Sequence, residues 1–185
     1  NGKFLTYDVT PFYIYNPLVA QRIKSYYPNS KIIACLRNPV DRAYSNYIIE
    51  FQDGDTELSF EERIQPEIEL INDKKIKLED ETFLVDTYYN KILTRGFYAD
   101  QLRYWYEIFP KNQLLMVSSE DLANNTNNTL NQIFNFLGFS DIKINDTSQK
   151  NKRKYSPMKK ETRDLLIEFY KPHNEELYKL VNRKF

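Results

Sequence analysis

The segment Lys31 to Tyr47, KIIACLRNPVDRAYSNY, holds the residues best suited to grip an anion. Arg37 closes a short apolar run, Ile32-Ile33-Ala34-Cys35-Leu36, and Ser45 follows eight residues later. That spacing puts Ser45 about two turns into the helix that Asn38-Pro39 opens, with Asn38 as its cap and Pro39 at its first position. A guanidinium presents a planar fork of donors matching phosphate oxygens, and a hydroxyl adds another. In open α/β sheets, ligands bind beyond the carboxyl ends of the strands. A helix starting there aims its free N–H groups and positive dipole end at the same space. Two readings stay open on these residues alone. Either Arg37 and Ser45 hold a phosphate, or Arg37 pairs with a local carboxylate such as Asp41 and Ser45 merely fills the helix.

A second cluster, Lys150-Asn151-Lys152-Arg153-Lys154-Tyr155, is a basic loop ahead of a helix. It reads either as a solvated charge run or as a loop that wraps an anion, with Arg153 or Tyr155 stacking on a base. The rest of the composition excludes more than it suggests. Twenty-six basic residues balance twenty-six acidic ones, which argues against a dedicated nucleic-acid binder. One cysteine and one histidine exclude a disulfide scaffold, a cysteine-based zinc site and most histidine triads. No apolar run approaches the roughly 20 residues of a membrane span. Charge is polarised nonetheless: Glu50 to Asp86 is acidic, and the stretch from Ser148 onward is basic.

These groups need elements to position them. The 185 residues predict one domain. Phe4 to Tyr7 reads as strand, Pro17 to Tyr27 as helix, and Lys31 to Leu36 as a strand covered on both faces. The next helix runs to about Phe51. Within the acidic stretch, Ser59-Phe60-Glu61-Glu62 is a capping box opening a surface helix, and the stretch is either a solvated insertion or a lid favouring a basic acceptor. Gly96 to Phe109 predicts an amphipathic helix stopped by Pro110. Gln113 to Val117 predicts a second short strand, with Ser119 capping the turn after it. Thr126 to Leu137 predicts a helix closed by Gly138. Asp141 to Tyr155 is polar and irregular, and Met158 to Phe169 and Pro172 to Val181 read as two closing helices. Strands separated by helices predict an α/β fold with a mainly parallel central sheet flanked by helices.

RNPVDRAYSNY resembles the 3′-phosphate-binding motif of sulfotransferases that use 3′-phosphoadenosine 5′-phosphosulfate (PAPS). LTYDVTPFYIYNP, RGFYADQLRYWYEIFPKNQLLMVSSEDL, NQIFNFLGF and KRKYSPMKKETRDLLIEFYKPHNEELYKLVNRKF are similar, in order, to segments of the heparan-sulfate and bacterial branch of that family. The resemblance covers nearly the whole chain except its acidic middle. It implies a P-loop-like sulfotransferase fold, here N-terminally truncated, as a single domain over 1–185 with an acidic insertion at 52–90. It implies transfer of the PAPS sulfonate to an acceptor hydroxyl or amine by in-line displacement, leaving 3′-phosphoadenosine 5′-phosphate (PAP) and needing no metal.

By the same resemblance Arg37 and Ser45 hold the 3′-phosphate, and Lys152, Arg153, Lys154 and Tyr155 close over the nucleotide. Relatives usually carry Lys-Gly-Arg where Asn151-Lys152-Arg153 stands here. Asp8, Thr10 and Tyr13 fall on the acceptor side of the cleft, with Val9 where heparan-type relatives often have lysine. Tyr98 faces either cleft or core, and His173 is structural. The 5′-phosphosulfate lysine and the catalytic base are expected upstream of residue 1, so no catalytic residue is assigned and the chain alone is expected to be nearly inactive. The acceptor is a saccharide, lipid, small metabolite or peptide, with no nucleic acid and no membrane span. A bacterial cytoplasm is the expected location, with a Golgi lumen as the alternative. The competing function is a non-catalytic nucleotide-binding or interaction module on a degenerate sulfotransferase scaffold.

Overall fold

A computed structural model describes residues 6–73, 91–139, 142, 144 and 155–183. The loop residues Lys152, Arg153 and Lys154, most of Asp141 to Tyr155, residues 74–90 of the acidic stretch, and Phe4 and Leu5 of the expected first strand lie outside these. Thr6 and Tyr7 are described and lie outside any strand.

Among the described residues the first features are a turn at residues 11–15 and then α1 (Pro17–Tyr26), whose cap Asn16 accepts the Leu18 N–H. Strand β1 (Ile32–Leu36) follows, then α2 (Pro39–Asp53). Gly54 ends α2 at φ 82°, a left-handed conformation that costs glycine nothing. Helix α3 (Phe60–Asn72) begins at the expected capping box: Ser59 Oγ accepts the Glu62 N–H, and the Glu62 carboxylate accepts the Ser59 N–H. A 3₁₀ turn (Thr94–Gly96) leads into α4 (Tyr98–Ile108). Strand β2 (Leu114–Ser118), α5 (Ser119–Asn124), α6 (Thr126–Leu137) and α7 (Lys160–Val181) complete the order. β1 and β2 pair in parallel, Ile32 opposite Leu114 through Leu36 opposite Ser118, so both strands end at the same edge of the sheet. The α/β architecture is therefore as the sequence predicts. Among the described residues no helix is long and apolar enough to cross a membrane.

Two apolar clusters hold the layers together. One joins Val40, Ala43 and Tyr47 of α2 to Phe60 and Ile64 of α3, Ile92 and Leu93, and Leu166 and Tyr170 of α7. The other joins Ala20 of α1 to Leu36, Leu102, Trp105, Leu114 and Leu177. Helix α7 thus serves both clusters.

Five expectations change here. β1 is not covered on both faces, since Ile33 and Cys35 are exposed. α3 is a surface helix with one face exposed, but it is not merely solvated: Phe60 and Ile64 are buried, and Glu67, 4% exposed, accepts the backbone N–H groups of Ile92, Leu93 and Thr94 at 2.8–2.9 Å. Met158 to Val181 is not two helices, because α7 runs unbroken through Pro172. Proline removes one helical hydrogen bond. Leu166 and Tyr170 before it and Leu177 after it are all buried, and that packing overrides the break. The Gly96–Phe109 helix starts two residues later than expected, because Gly96 closes a 3₁₀ turn. A Cβ on Gly96 would stand 2.7 Å from the Tyr170 ring and 2.8 Å from Pro39 Cβ, so only glycine lets α2 and α7 close on this turn. Finally, Ser118 rather than Ser119 caps α5, accepting the Asp121 N–H.

Candidate functional site

Arg37 stands directly after β1, half-buried, beside a small recess that Asn38, Tyr98, Asn174 and Tyr178 help to line. The Tyr98 hydroxyl donates to the Arg37 carbonyl at 3.0 Å and fixes the backbone there. Tyr98 is 6% exposed yet borders the recess, so it belongs to core and cleft together. Burial is the main cause that pushes its phenol pKa up. Among the described residues Arg37 has no ion-pair partner. Asp41, the local carboxylate that the sequence offered it, pairs instead with Arg163 of α7, Nη2 to Oδ1 at 2.5 Å.

The start of α2 differs from expectation. Its first N–H groups are not free for a ligand: Asn38 Oδ1 accepts from Val40 at 3.0 Å and Asp41 at 3.4 Å, and the Asn38 carbonyl accepts from Arg42. The Asn38 N–H donates to Glu120 Oε1 at 2.9 Å. A good cap satisfies the donors that would otherwise hold an anion. Glu120 was missed from sequence. The parallel pairing carries the signal for it, since Ser118 lies opposite Leu36 and the next residues of both strands must meet. Burial opposes charge on Glu120, but hydrogen bonds from the Asn38 and Glu120 N–H groups and the Ser119 and Ser118 hydroxyls hold its carboxyl below the ordinary range.

Ser45 is half-buried on α2, one turn beyond Asp41. Its neighbour Tyr44 donates to the Ser156 carbonyl at 2.9 Å, and its ring meets Tyr155 edge-on at 5.7 Å. The structure thus brings Tyr155, 39% exposed, to the α2 turn that carries Ser45.

Asp8, Thr10 and Tyr13 also come together. Asp8 accepts from the Thr10 hydroxyl at 3.3 Å and the Tyr13 hydroxyl at 3.1 Å. The turn that follows is anchored by the Trp105 indole on the Ile14 carbonyl at 3.0 Å, and by Arg95 over the Phe12 ring at 4.4 Å. Among the described residues no hydrogen bond or ion pair joins this trio to Arg37 or Ser45. His173 lies within α7, with its ring stacked on Phe97 at 3.7 Å between centroids.

A model of the sulfotransferase domain matches residues 16–176. The chain belongs to the sulfotransferase domain family. This sulfotransferase domain is 27% identical to the membrane-associated sulfotransferase kil1 of Dictyostelium discoideum, over 96% of this chain and 52% of that protein. It is 26% identical to carbohydrate sulfotransferase 15 of Homo sapiens, over 86% of this chain and 31% of the relative. It is also 26% identical to the human bifunctional heparan sulfate N-deacetylase/N-sulfotransferase 2, over 96% of this chain and 22% of that one. A solved sulfotransferase from Alicyclobacillus acidocaldarius superposes with a TM-score of 0.73 at 31% identity, over 94% of this chain and 63% of the other. The domain therefore spans about half the length of the kil1 protein and less of the other two. The heparan-sulfate and bacterial branches that its motifs resemble are both among these relatives.

Proposed function

We propose that the protein carrying this chain moves the sulfonate of PAPS onto a hydroxyl or amine of an acceptor and releases PAP. The acceptor oxygen or nitrogen attacks sulfur, the bond from sulfur to the 5′-phosphate oxygen breaks, and the acceptor proton passes to a base that no residue of this chain is assigned to supply. PAPS, when bound, brings the activated sulfonate; this chain's residues hold and orient it. Arg37 and Ser45 bind the 3′-phosphate, and Lys152, Arg153, Lys154 and Tyr155 close on the nucleotide. Asp8, Thr10 and Tyr13 meet the acceptor. No metal takes part. Sulfuryl transfer, like phosphoryl transfer, spreads charge over equatorial oxygens and is promoted chiefly by positioning and neutralisation.

The observation that carries this reading is the Arg37 guanidinium: it stands at the carboxyl end of a parallel strand, without an ion-pair partner among the described residues, in a chain of a sulfonate-transferring family. A carbohydrate is the favoured acceptor, because two of the relatives are named for carbohydrate and heparan sulfate. The reading treats 1–185 as one domain with 52–90 inserted in it. It places the protein in a bacterial cytoplasm, with the Golgi lumen as the alternative, and gives it no nucleic-acid partner.

Calorimetric titration of PAP into the intact protein tests this. Saturable binding is expected, weakened at least about tenfold by Arg37→Ala, the loss of one charge-assisted phosphate contact. A folded protein that does not bind PAP, or one indifferent to Arg37→Ala, overturns it.

A further inference from the structure

Asp41 shares with Ser45 the side of α2 turned away from the buried Ala43. Four residues separate the two, so their Cβ atoms are neighbours at about 5–6 Å. Arg37 stands just before the cap Asn38, and at 1.5 Å rise per residue Ser45 lies roughly 9 Å along the helix from Pro39. An anion gripped by both lies over the first turns of α2, beside the Asp41 carboxylate. Left unpaired, that carboxylate repels a phosphate dianion.

It is not unpaired. Arg163 reaches it from α7, and the first turn of α7 is itself fastened to α3. The Thr162 hydroxyl donates to Glu61 Oε1 at 2.6 Å, and the Lys159 ammonium to Glu61 Oε2 at 3.1 Å. Two elements outside the strand–helix unit thus deliver one guanidinium to Asp41. The side chains of the pair remain 40% and 35% exposed, so as a tie between helices it contributes little. What it changes is the charge beside the proposed phosphate.

We propose that Arg163 is a charge-compensating positioning residue: it holds Asp41 and so lets Arg37 and Ser45 accept a dianionic 3′-phosphate on the same helix face. This rests on the reading that Arg37 and Ser45 bind that phosphate.

The test is PAP titration of the intact wild type and of Arg163→Gln, Asp41→Asn, their double variant and Arg37→Ala, each checked by thermal melting. Arg163→Gln exposes Asp41 and weakens binding about tenfold, as expected for one added like charge near the surface. Asp41→Asn breaks the same ion pair but removes the repulsion, so it binds as tightly as wild type or more so. The double variant returns to within about threefold of wild type, a non-additivity that marks coupled sites. A mere tie between α2 and α7 gives the opposite pattern: both single variants lose affinity alike and the double does not recover. That result overturns the proposal. Should Arg163→Gln fail to fold, the effect of Asp41→Asn decides alone: retained or tighter binding supports the proposal, and tenfold weaker binding overturns it. Wild-type protein that does not bind PAP, or binds it regardless of Arg37, overturns the cofactor reading and this inference together. Arg37-dependent binding with equal losses at Asp41 and Arg163 overturns this inference alone.

Discussion

The imidazole of His173 lies flat on the Phe97 ring and is only partly open to water. Burial pushes its pKa below the ordinary 6.5, against the pull of the Asp100 and Glu176 carboxylates. Arg103 sits in the same group, bonding both carboxylates at 2.6 Å and so diverting part of their charge. The folded state therefore resists a proton that the unfolded chain accepts at about pH 6.5. Stability contributed by the neutral ring is present above that pH and is lost as pH falls through the lowered folded value. Urea midpoints measured between pH 7.5 and 5 should decline on the acid side, and His173→Phe should flatten that decline. An unchanged acid slope in the variant would show that the stack does not resist protonation. The same residue scale explains why Arg37 was readable from sequence and its surroundings were not. A short apolar run ended by Arg-Asn-Pro locates the guanidinium by strand length and helix capping alone. Glu120 taking the Asn38 N–H depends on a contact between residues 82 positions apart in the chain.

α3 shows how an element can hide in composition. Its sequence, FEERIQPEIELIN, looks like solvated acidic surface, yet Glu67 is buried as the acceptor of three backbone N–H groups. Those donors lie 25 to 27 residues further along and carry no side-chain signature, so no local pattern could announce the clip. The clip sets the 3₁₀ turn, and Thr94 within that turn bonds the Tyr15 hydroxyl at 3.2 Å, linking α3 to the segment that follows Asp8, Thr10 and Tyr13. Glu67→Gln keeps the shape but faces an amide donor toward backbone donors. It should cost about 3 kcal/mol, the scale of lost charged hydrogen bonds with a donor left unsatisfied. Urea unfolding of wild type and variant measures this, and a loss under about 0.5 kcal/mol, as at an ordinary surface site, would contradict the clip. α6 is the contrasting case: its amphipathic spacing and Gly138 stop are both local, and its observed bounds are those read from sequence. Pro172 misleads for the converse reason, because a local helix breaker is overruled by buried residues on either side of it.

At the scale of the whole molecule, the proposed division of labour is spatial. Arg37 and Ser45 lie at the end of β1 and along α2, while Asp8, Thr10 and Tyr13 form their own polar group on the turn anchored by α4. Both groups are proposed from the family resemblance, whose motifs occur in order along the chain. The elements between them were legible only where their signals were local. The order in which the molecule assembles follows from the parallel pairing of β1 with β2. Ile32 cannot find Leu114, nor Asn38 its Glu120 acceptor, until segments 82 positions apart in the chain have been brought together. Contacts of such long sequence separation are slow to form, whereas helices form on much faster timescales. In refolding from urea, helical circular dichroism should recover ahead of competence to bind PAP. Coincident recovery would mean that pairing and helices form in one step. If the lag is present, a newly made chain passes through a helical stage that has no grip on the proposed nucleotide, and excess PAP would not hasten that stage.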